Sequence, residues 1–388
     1  MTYTVLARRY RSQSFDQVVG QEAVARTLLN AIEQGRVAHA YLFVGTRGVG
    51  KTSMARIFAK ALAGGAPEVD RAIMTGQDTD VIEIDAASNN SVDNARELIA
   101  NSVYLPMRGR AKVYIIDEVH MLSTQAFNAL LKTLEEPPAH VKFILCTTEP
   151  HKVPATIQSR CQRFDFQNIS SSSIAAHLAR VVKDEGKKSE PELLGAIARL
   201  ASGSMRDALS LLDRVIAACP PGQAMTVGML ESLLGLPDRR VVSTLIGAIA
   251  SGEASPALEA VDTLLARGVS IDQLLESLLD RLRDLMLVAS CGGDSPLIDA
   301  SDDWRRELVE QASPFDAPAL VHMIALCESV QRMGKSSLAP RALLDALIVR
   351  LTMTERIAEV ASLLRESGGR EPTPPQPRAP ARAPAKKV

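Results

Sequence analysis

The feature that most constrains this chain is an apolar run, Tyr41 to Val44, that breaks into Gly45-Thr46-Arg47-Gly48-Val49-Gly50-Lys51-Thr52-Ser53 and continues as an amphipathic stretch to Lys60. It fits GxxxxGK[ST] placed between a strand and a helix. Glycines let successive backbone N–H groups curl round an anion without a side chain in the way, and the helix that follows points its partial positive end at the same spot. The segment therefore reads as a cradle for nucleotide phosphates. Lys51 supplies a point charge for the outer phosphates and Thr52 a hydroxyl for Mg²⁺.

About sixty residues downstream, Lys112-Val113-Tyr114-Ile115-Ile116 is a buried-strand pattern ending in Asp117-Glu118. An acidic pair at the carboxyl end of an apolar strand is where a P-loop sheet places its second Mg²⁺ ligand, so Asp117 is assigned to the metal and Glu118 to polarising the attacking water as general base. A further buried strand ends in Thr148, whose hydroxyl would sit beside this pair and orient water against the γ-phosphate. Arg160, in the turn Ile157-Gln158-Ser159-Arg160-Cys161, carries the planar fork that suits transition-state charge on a phosphate. Arg206 falls in the first turn of a predicted helix, where a cation is unfavourable unless an anion is near.

The chain has 388 residues, enough for two or three domains. Its formal charge of -1 argues against a surface that is basic throughout, and its 4% aromatic content argues against a base-stacking platform. Any nucleic-acid contact is expected to be to the backbone. The N-terminus has no apolar core of signal-peptide length, and no run of about eighteen apolar residues occurs, so a soluble cytosolic protein is expected. Five cysteines, at 146, 161, 219, 291 and 327, form no CxxC pair and read as reduced, mostly packing residues.

Strand patterns at Tyr41–Val44, Val81–Ile84, Val113–Ile116 and Val141–Thr147 alternate with helical ones, which predicts an α/β domain over 1–169 with a parallel sheet sandwiched by helices. Strand signals then stop. Ser170 to Ser173 offer N-cap chemistry, and helices are expected over Ile174–Lys183, Leu193–Ala201 and Arg206–Ala218, forming a small helical domain over 170–226. A longer all-helical block follows over 227–364, and residues 365–388, rich in proline, alanine and arginine, are expected to be a disordered tail.

Taken together, YRSQSFDQVVGQEAV, HAYLFVGTRGVGKTS, VYIIDEVHMLSTQAFNALLKTLEEPP, LCTTEPHKVPATIQSRCQRF and GSMRDALSLLDR resemble the bacterial DNA polymerase III gamma/tau subunits, the AAA+ ATPases of the sliding-clamp loader. The likeness spans roughly residues 3 to 355. It implies an AAA+ P-loop domain, a helical lid and an all-α collar; ATP and Mg²⁺ on Lys51, Thr52 and Asp117; Asp117 and Glu118 as the Walker B pair; and Thr148 as sensor 1. It also implies Arg160 as an arginine finger for a neighbouring subunit's ATP and Arg206 as sensor 2. Ala7, Arg8, Tyr10, Val18, Val19 and Gln21 would enclose the adenine. The family usually carries four cysteines as a zinc module after the P-loop helix. Residues 64–80 contain none, so no zinc is expected. Ser12 stands where the family has a proline, and the chain resembles the short form of the family or a longer form cut to that length.

The resemblance implies an ATP-driven switch that opens a ring-shaped clamp and releases it around primer-template DNA. The expected partners are delta and delta-prime type subunits and copies of this chain in a pentameric ring, together with the sliding clamp and DNA held by its backbone, with no membrane and a place at the replisome. Ser88–Asn94 and Leu122–Gln125, with Arg96 nearby, could aim helix N-termini at DNA phosphates. A ring translocase of the branch-migration type should show pore-loop aromatics before Asp117, and only Tyr104 is available. A scaffold that binds ATP without hydrolysing it is disfavoured by the intact Lys51, Glu118 and Arg160.

Overall fold

The structure is a computed structural model that describes residues 4–63, 65–295, 297–298 and 302–353. The expected tail over 365–388 and the end of the helical block after 353 lie outside the described residues. The chain divides after Leu233 into two compact units.

The first unit opens with α1 (Leu6–Arg9) and α2 (Glu22–Glu33), then runs β1 (Ala40–Val44), α3 (Lys51–Ala63), α4 (Pro67–Thr75), β2 (Val81–Asp85), α5 (Val92–Ser102), β3 (Lys112–Asp117), α6 (Thr124–Glu135), β4 (Val141–Thr147), α7 (Ala155–Gln158) and β5 (Gln162–Asp165). All pairings are parallel, in the order β2-β3-β4-β1-β5. The central strands read as unbroken apolar runs because both faces are covered. Tyr41, Phe43, Val113, Ile115, Ile144 and Cys146 pack with Met54, Phe58 and Leu28 on one face. Leu42, Val44, Tyr114, Ile116, Phe143 and Leu145 pack with Leu98, Phe127, Leu130 and Leu134 on the other.

The four expected strands are present, and β5 is an addition to them. Its residues are mostly exposed and only Phe164 offers an apolar, half-buried side chain, so an edge strand of this kind leaves no periodic signal. The order matters for function. β3, β4 and β1 are adjacent, so the carboxyl ends of all three meet on one side of the sheet, which is where open α/β sheets hold ligands.

Three helices then pack on one another: α8 (Ser171–Asp184), α9 (Pro191–Leu200) and α10 (Met205–Ala218). Ser170 caps α8 by accepting the Ser173 N–H at 3.2 Å, and Ser204 caps α10 by accepting the Asp207 N–H at 3.2 Å. Gly203, at φ +88°, brings the chain so close to Asn168 that an added Cβ would lie 2.6 Å from the Asn168 Cβ. Only glycine fits there. α11 (Val227–Leu234) follows.

The second unit is helical throughout its described residues: α12 (Arg239–Ala250), α13 (Ala254–Ala266), α14 (Ile271–Cys291), α15 (Asp302–Ala312), α16 (Ala317–Gly334) and α17 (Pro340–Thr352). The long α14, opened by a capping box between Ser270 and Gln273, contributes Leu274, Leu278, Leu282 and Leu285 to a core shared with Leu320, Leu344 and Leu351. Arg281 is buried over the Trp304 ring at 3.9 Å, and burial lowers its pKa to about 10. All five cysteines are free, and Cys291 is exposed while Cys146, Cys219 and Cys327 are buried.

One carboxylate organises the approach to β3. Asp80, buried just before β2, accepts the N–H groups of Met107 (2.7 Å), Arg108 (2.6 Å) and Gly109 (2.8 Å). Burial by itself would raise its pKa, but these three amides hold it below the ordinary aspartate value. A depressed folded pKa stabilises the fold above the unfolded value of about 3.9, and that contribution is lost as pH falls through the folded value. Asp80→Ala is expected to destabilise the first unit by about 3 kcal/mol in a urea titration, since three amides lose a charged acceptor. The gap between the wild type and Asp80→Asn should be widest at neutral pH and close on acidification.

Candidate nucleotide site

The loop between β1 and α3 turns at Gly48 (φ +80°) and Gly50 (φ +104°), and α3 starts at Lys51. A Cβ on Gly48 would meet the Ser204 Oγ at 2.0 Å, so the loop lies directly against the N-terminus of α10. The Arg206 N–H donates to the Gly48 carbonyl at 3.4 Å, and the Thr46 hydroxyl donates to Asn168 Oδ1 at 2.6 Å. The cradle is thus fastened at both ends to the segment that carries the second set of helices.

Lys51 is buried, and its ammonium folds back to donate to the carbonyls of Gly45 (2.7 Å) and Thr46 (2.8 Å). Burial lowers its pKa, with Cys146, Glu118 and Asp117 pulling the other way. The Thr52 hydroxyl donates to Asp117 Oδ2 at 2.6 Å. A hydroxyl and a carboxylate oxygen so close together are hard donors that suit Mg²⁺, which takes few protein ligands and fills its octahedron with water and phosphate oxygens.

Glu118 holds a left-handed conformation (φ +47°, ψ +45°), uncommon for a residue with a Cβ and a form of local strain found at functional sites. Its Oε2 accepts the Thr148 hydroxyl at 3.1 Å. His120, absent from the expected site, is buried beside it. The ring Nδ1 lies 3.1 Å from the Thr147 Oγ1 and 3.5 Å from Glu118 Oε2, and Nε2 lies 3.4 Å from Glu149 Oε1. A histidine two residues past a carboxylate is a signal that becomes meaningful only when the tight turn after β3 folds it back.

A cavity of about 450 Å³ joins these groups. Ala7, Arg8, Tyr10, Val18 and Val19 line one wall, Arg47 to Ser53 the floor, Asp117 and Glu118 one end, and Arg206 the α10 side. It also takes in Arg11, Ser12, Arg56, Ile169, His177, Met205 and Leu209, which periodicity alone did not single out. Five expected residues are not on its wall. Gly45 and Thr46 act through their carbonyls on Lys51, and Thr148 acts through Glu118. Gln21 is buried and bridges the backbone of Gln167, donating to its carbonyl at 2.7 Å and accepting its N–H at 3.3 Å, so it fixes the frame behind the cavity.

Arg160 stands apart from the cavity. Its guanidinium pairs with Glu135 and donates to the Thr156 carbonyl at 2.6 Å, with the side chain 32% exposed. Tyr10 is tied in the opposite direction: its hydroxyl donates to Glu185 Oε1 at 2.6 Å, and Arg9 pairs with the same carboxylate. Burial and Glu185 together push the Tyr10 pKa up to about 12. In the segments considered for DNA, Ser91 caps α5 and Ser123 caps α6, the Ser123 N–H donates to the Asn90 carbonyl at 3.1 Å, and Arg96 pairs with Asp93 at 3.3 Å. Among the described residues no helix is long and apolar enough to cross a membrane. Where the family resemblance leads one to look for four cysteines, the chain forms α4.

Three family models match in succession: "DNA polymerase III, delta subunit" over residues 20–170, "DNA polymerase III clamp loader subunit, ATPase lid domain" over 173–220, and "DNA polymerase III subunits gamma and tau domain III" over 225–366. DNA polymerase III subunit tau of Bacillus subtilis is 42% identical over 91% of this chain and 64% of its own length. The tau subunit of Escherichia coli is 44% identical over 81% of this chain and 50% of its own, and the gamma/tau subunit of Mycobacterium tuberculosis 35% over 93% and 64%. The chain therefore spans between half and two thirds of these relatives. Among solved structures, the Thermotoga maritima RuvB Holliday junction branch migration motor aligns with a TM-score of 0.46 at 18% identity, covering 62% of this chain and 79% of that one, too distant a likeness to build on. Matched from residue 20 to residue 366 by successive models and by relatives at 35–44% identity, the chain belongs to the DNA polymerase III gamma and tau family.

Proposed function

We propose that this chain is the ATP-hydrolysing motor subunit of a bacterial clamp loader, which uses ATP to open a sliding clamp and leave it on primer-template DNA. The observation that carries the reading is the separation of two arginines. Arg206 lines the cavity, whereas Arg160 lies outside it on the surface, paired with Glu135. A guanidinium outside its own nucleotide cavity suits a role at a neighbour's. Supplying an arginine in trans is worth roughly 10³ to 10⁵ in rate, which makes hydrolysis wait for assembly.

In this reading the amides of Thr46 to Ser53 hold the phosphates, and Lys51 exchanges its loop carbonyls for the β- and γ-phosphate oxygens. Thr52 and Asp117 would hold Mg²⁺, which would supply positive charge beside the phosphates. Glu118 takes a proton from the attacking water, with Thr148 and His120 fixing the direction of its carboxylate. Arg206 reports the γ-phosphate to the lid. The assignment gives the ATPase domain residues 1–169, the lid 170–226 and a collar 227–364. Partners are delta and delta-prime type subunits, further copies of this chain, the clamp, and DNA gripped by its backbone near the ends of α5 and α6, in the bacterial cytoplasm and with no zinc required.

ATP turnover by the chain alone should be slow and should rise by at least about 10³ when partner subunits, clamp and primed DNA are all present. Arg160→Ala should abolish that rise while leaving ATP affinity of the isolated chain unchanged; a rate indifferent to every addition would end the loader reading. Glu118→Gln should keep nucleotide affinity and lose turnover by about 10²-fold or more, whereas Lys51→Ala should lose affinity itself. His120→Ala should fall between wild type and Glu118→Gln in turnover with affinity intact, as single-turnover kinetics would report.

A further inference from the structure

Beside the nucleotide cavity lies a second one, of about 350 Å³, lined by Arg8, Arg11, Gln13, Arg56, Lys60, Asp70, Arg71, Met74 and Thr75. It lies along α3 and α4, and shares Arg8, Arg11, Arg56 and Thr75 with its neighbour. Five of its side chains are cationic and one is a carboxylate. Arg56 is already neutralised by a bidentate pair with Glu83 (2.6 and 2.8 Å) and donates to the Met74 carbonyl at 2.7 Å. Lys60 donates to the Gln13 carbonyl at 2.6 Å, an uncharged acceptor. Arg8, Arg11 and Arg71 have no side-chain hydrogen bond or ion pair among the described residues. Setting Asp70 and Glu83 against the five cations leaves a surplus of three positive charges around a concave space.

Like charges crowded into a partly enclosed space repel one another unless an anion joins them. Of the three arginines without a side-chain partner, Arg8 and Arg71 are exposed and Arg11 is the more enclosed. It is half-buried, and burial lowers its pKa, with Arg56 and Arg206 adding to the effect and the carboxylates of Glu83 and Asp117 opposing it. Guanidinium forks match the oxygens of a phosphoryl group, and the volume leaves room for such an anion together with hydration water.

We propose that this second cavity is an anion site for a phosphoryl ligand of two or three negative charges, held by Arg8, Arg11, Lys60 and Arg71. The ligand is either a free inorganic phosphate or pyrophosphate, or a phosphate carried on the sugar of a nucleotide that occupies the adjoining cavity. The charge surplus holds whichever source applies, and it stands whether or not the chain hydrolyses ATP; only the second source rests on the nucleotide reading.

The test uses the full chain, with ADP affinity measured first. The chain is then saturated with ADP in Mg²⁺-free, low-salt buffer and titrated calorimetrically with inorganic pyrophosphate. Lys60→Gln/Arg71→Gln serves as the variant, because neither residue lines the nucleotide cavity and glutamine suits a helix. Pyrophosphate should bind the ADP-saturated chain, and the double variant should bind it at least about tenfold more weakly with ADP affinity held within about twofold. Binding that the variant leaves unchanged, simple displacement of ADP, or absence of pyrophosphate binding together with no bisphosphate advantage would each overturn the proposal. A chain that fails to bind ADP would sink the nucleotide reading but leave the pyrophosphate comparison to be made without it. Adenosine 3′,5′-bisphosphate is compared with adenosine 5′-monophosphate in the chain without ADP. A tighter bisphosphate whose advantage vanishes in the variant assigns the sugar-borne source, and equal affinities alongside pyrophosphate binding assign the free anion.

Discussion

The contact on which the site depends is the meeting of the glycine loop with the start of α10. The Gly48 carbonyl receives the Arg206 N–H, the space a Gly48 side chain would need is filled by Ser204, and Thr46 reaches across to Asn168. Because Ser204 also caps α10, the residue that sets the first turn of that helix is the one that touches the loop. Loop shape and helix position are therefore a single variable. Gly203, pressed against Asn168, closes the same corner from the other side.

At the opposite end of the cavity the acidic residues are held by a second, independent arrangement. Glu118 takes a strained backbone, and its carboxylate is steered by Thr148 from the next strand and by His120 from its own turn. Adjacent parallel strands make this possible, since β3 and β4 deliver their terminal residues to the same edge. Asp117 then faces Thr52 from the neighbouring cradle at 2.6 Å. These polar groups come from three segments far apart in the chain, the turn after β3, the end of β4 and the cradle after β1, and each follows a strand of the sheet.

Much of this was legible from the residues. The loop, the acidic pair and the strand that ends at Thr147, one residue short of Thr148, carry strong local signals, because a glycine-rich turn and a charged end to an apolar run have few other physical uses. β5 was not legible, since a mostly exposed edge strand has no alternation to detect. His120 and Asn168 were missed for a different reason: their partners, Glu118 and Thr46, become neighbours only through a tight turn in one case and through the docking of α10 in the other. Gln21 was assigned to the base and instead braces Gln167, a role that depends on a contact 146 residues away in sequence. The cationic cavity left no pattern either, because its charges are spread over the first turn, α3 and α4.

The N-terminal segment has a mechanical consequence. α1 packs on α10, with the Leu6 N–H donating to Asp213 at 3.3 Å, and Arg9 and Tyr10 both hold Glu185 at the end of α8. One wall of the cavity thus travels with the three-helix layer, while Lys51, Thr52 and Asp117 travel with the sheet. A ligand long enough to touch both would add a link to those that Gly48 and Thr46 already make with Arg206 and Asn168.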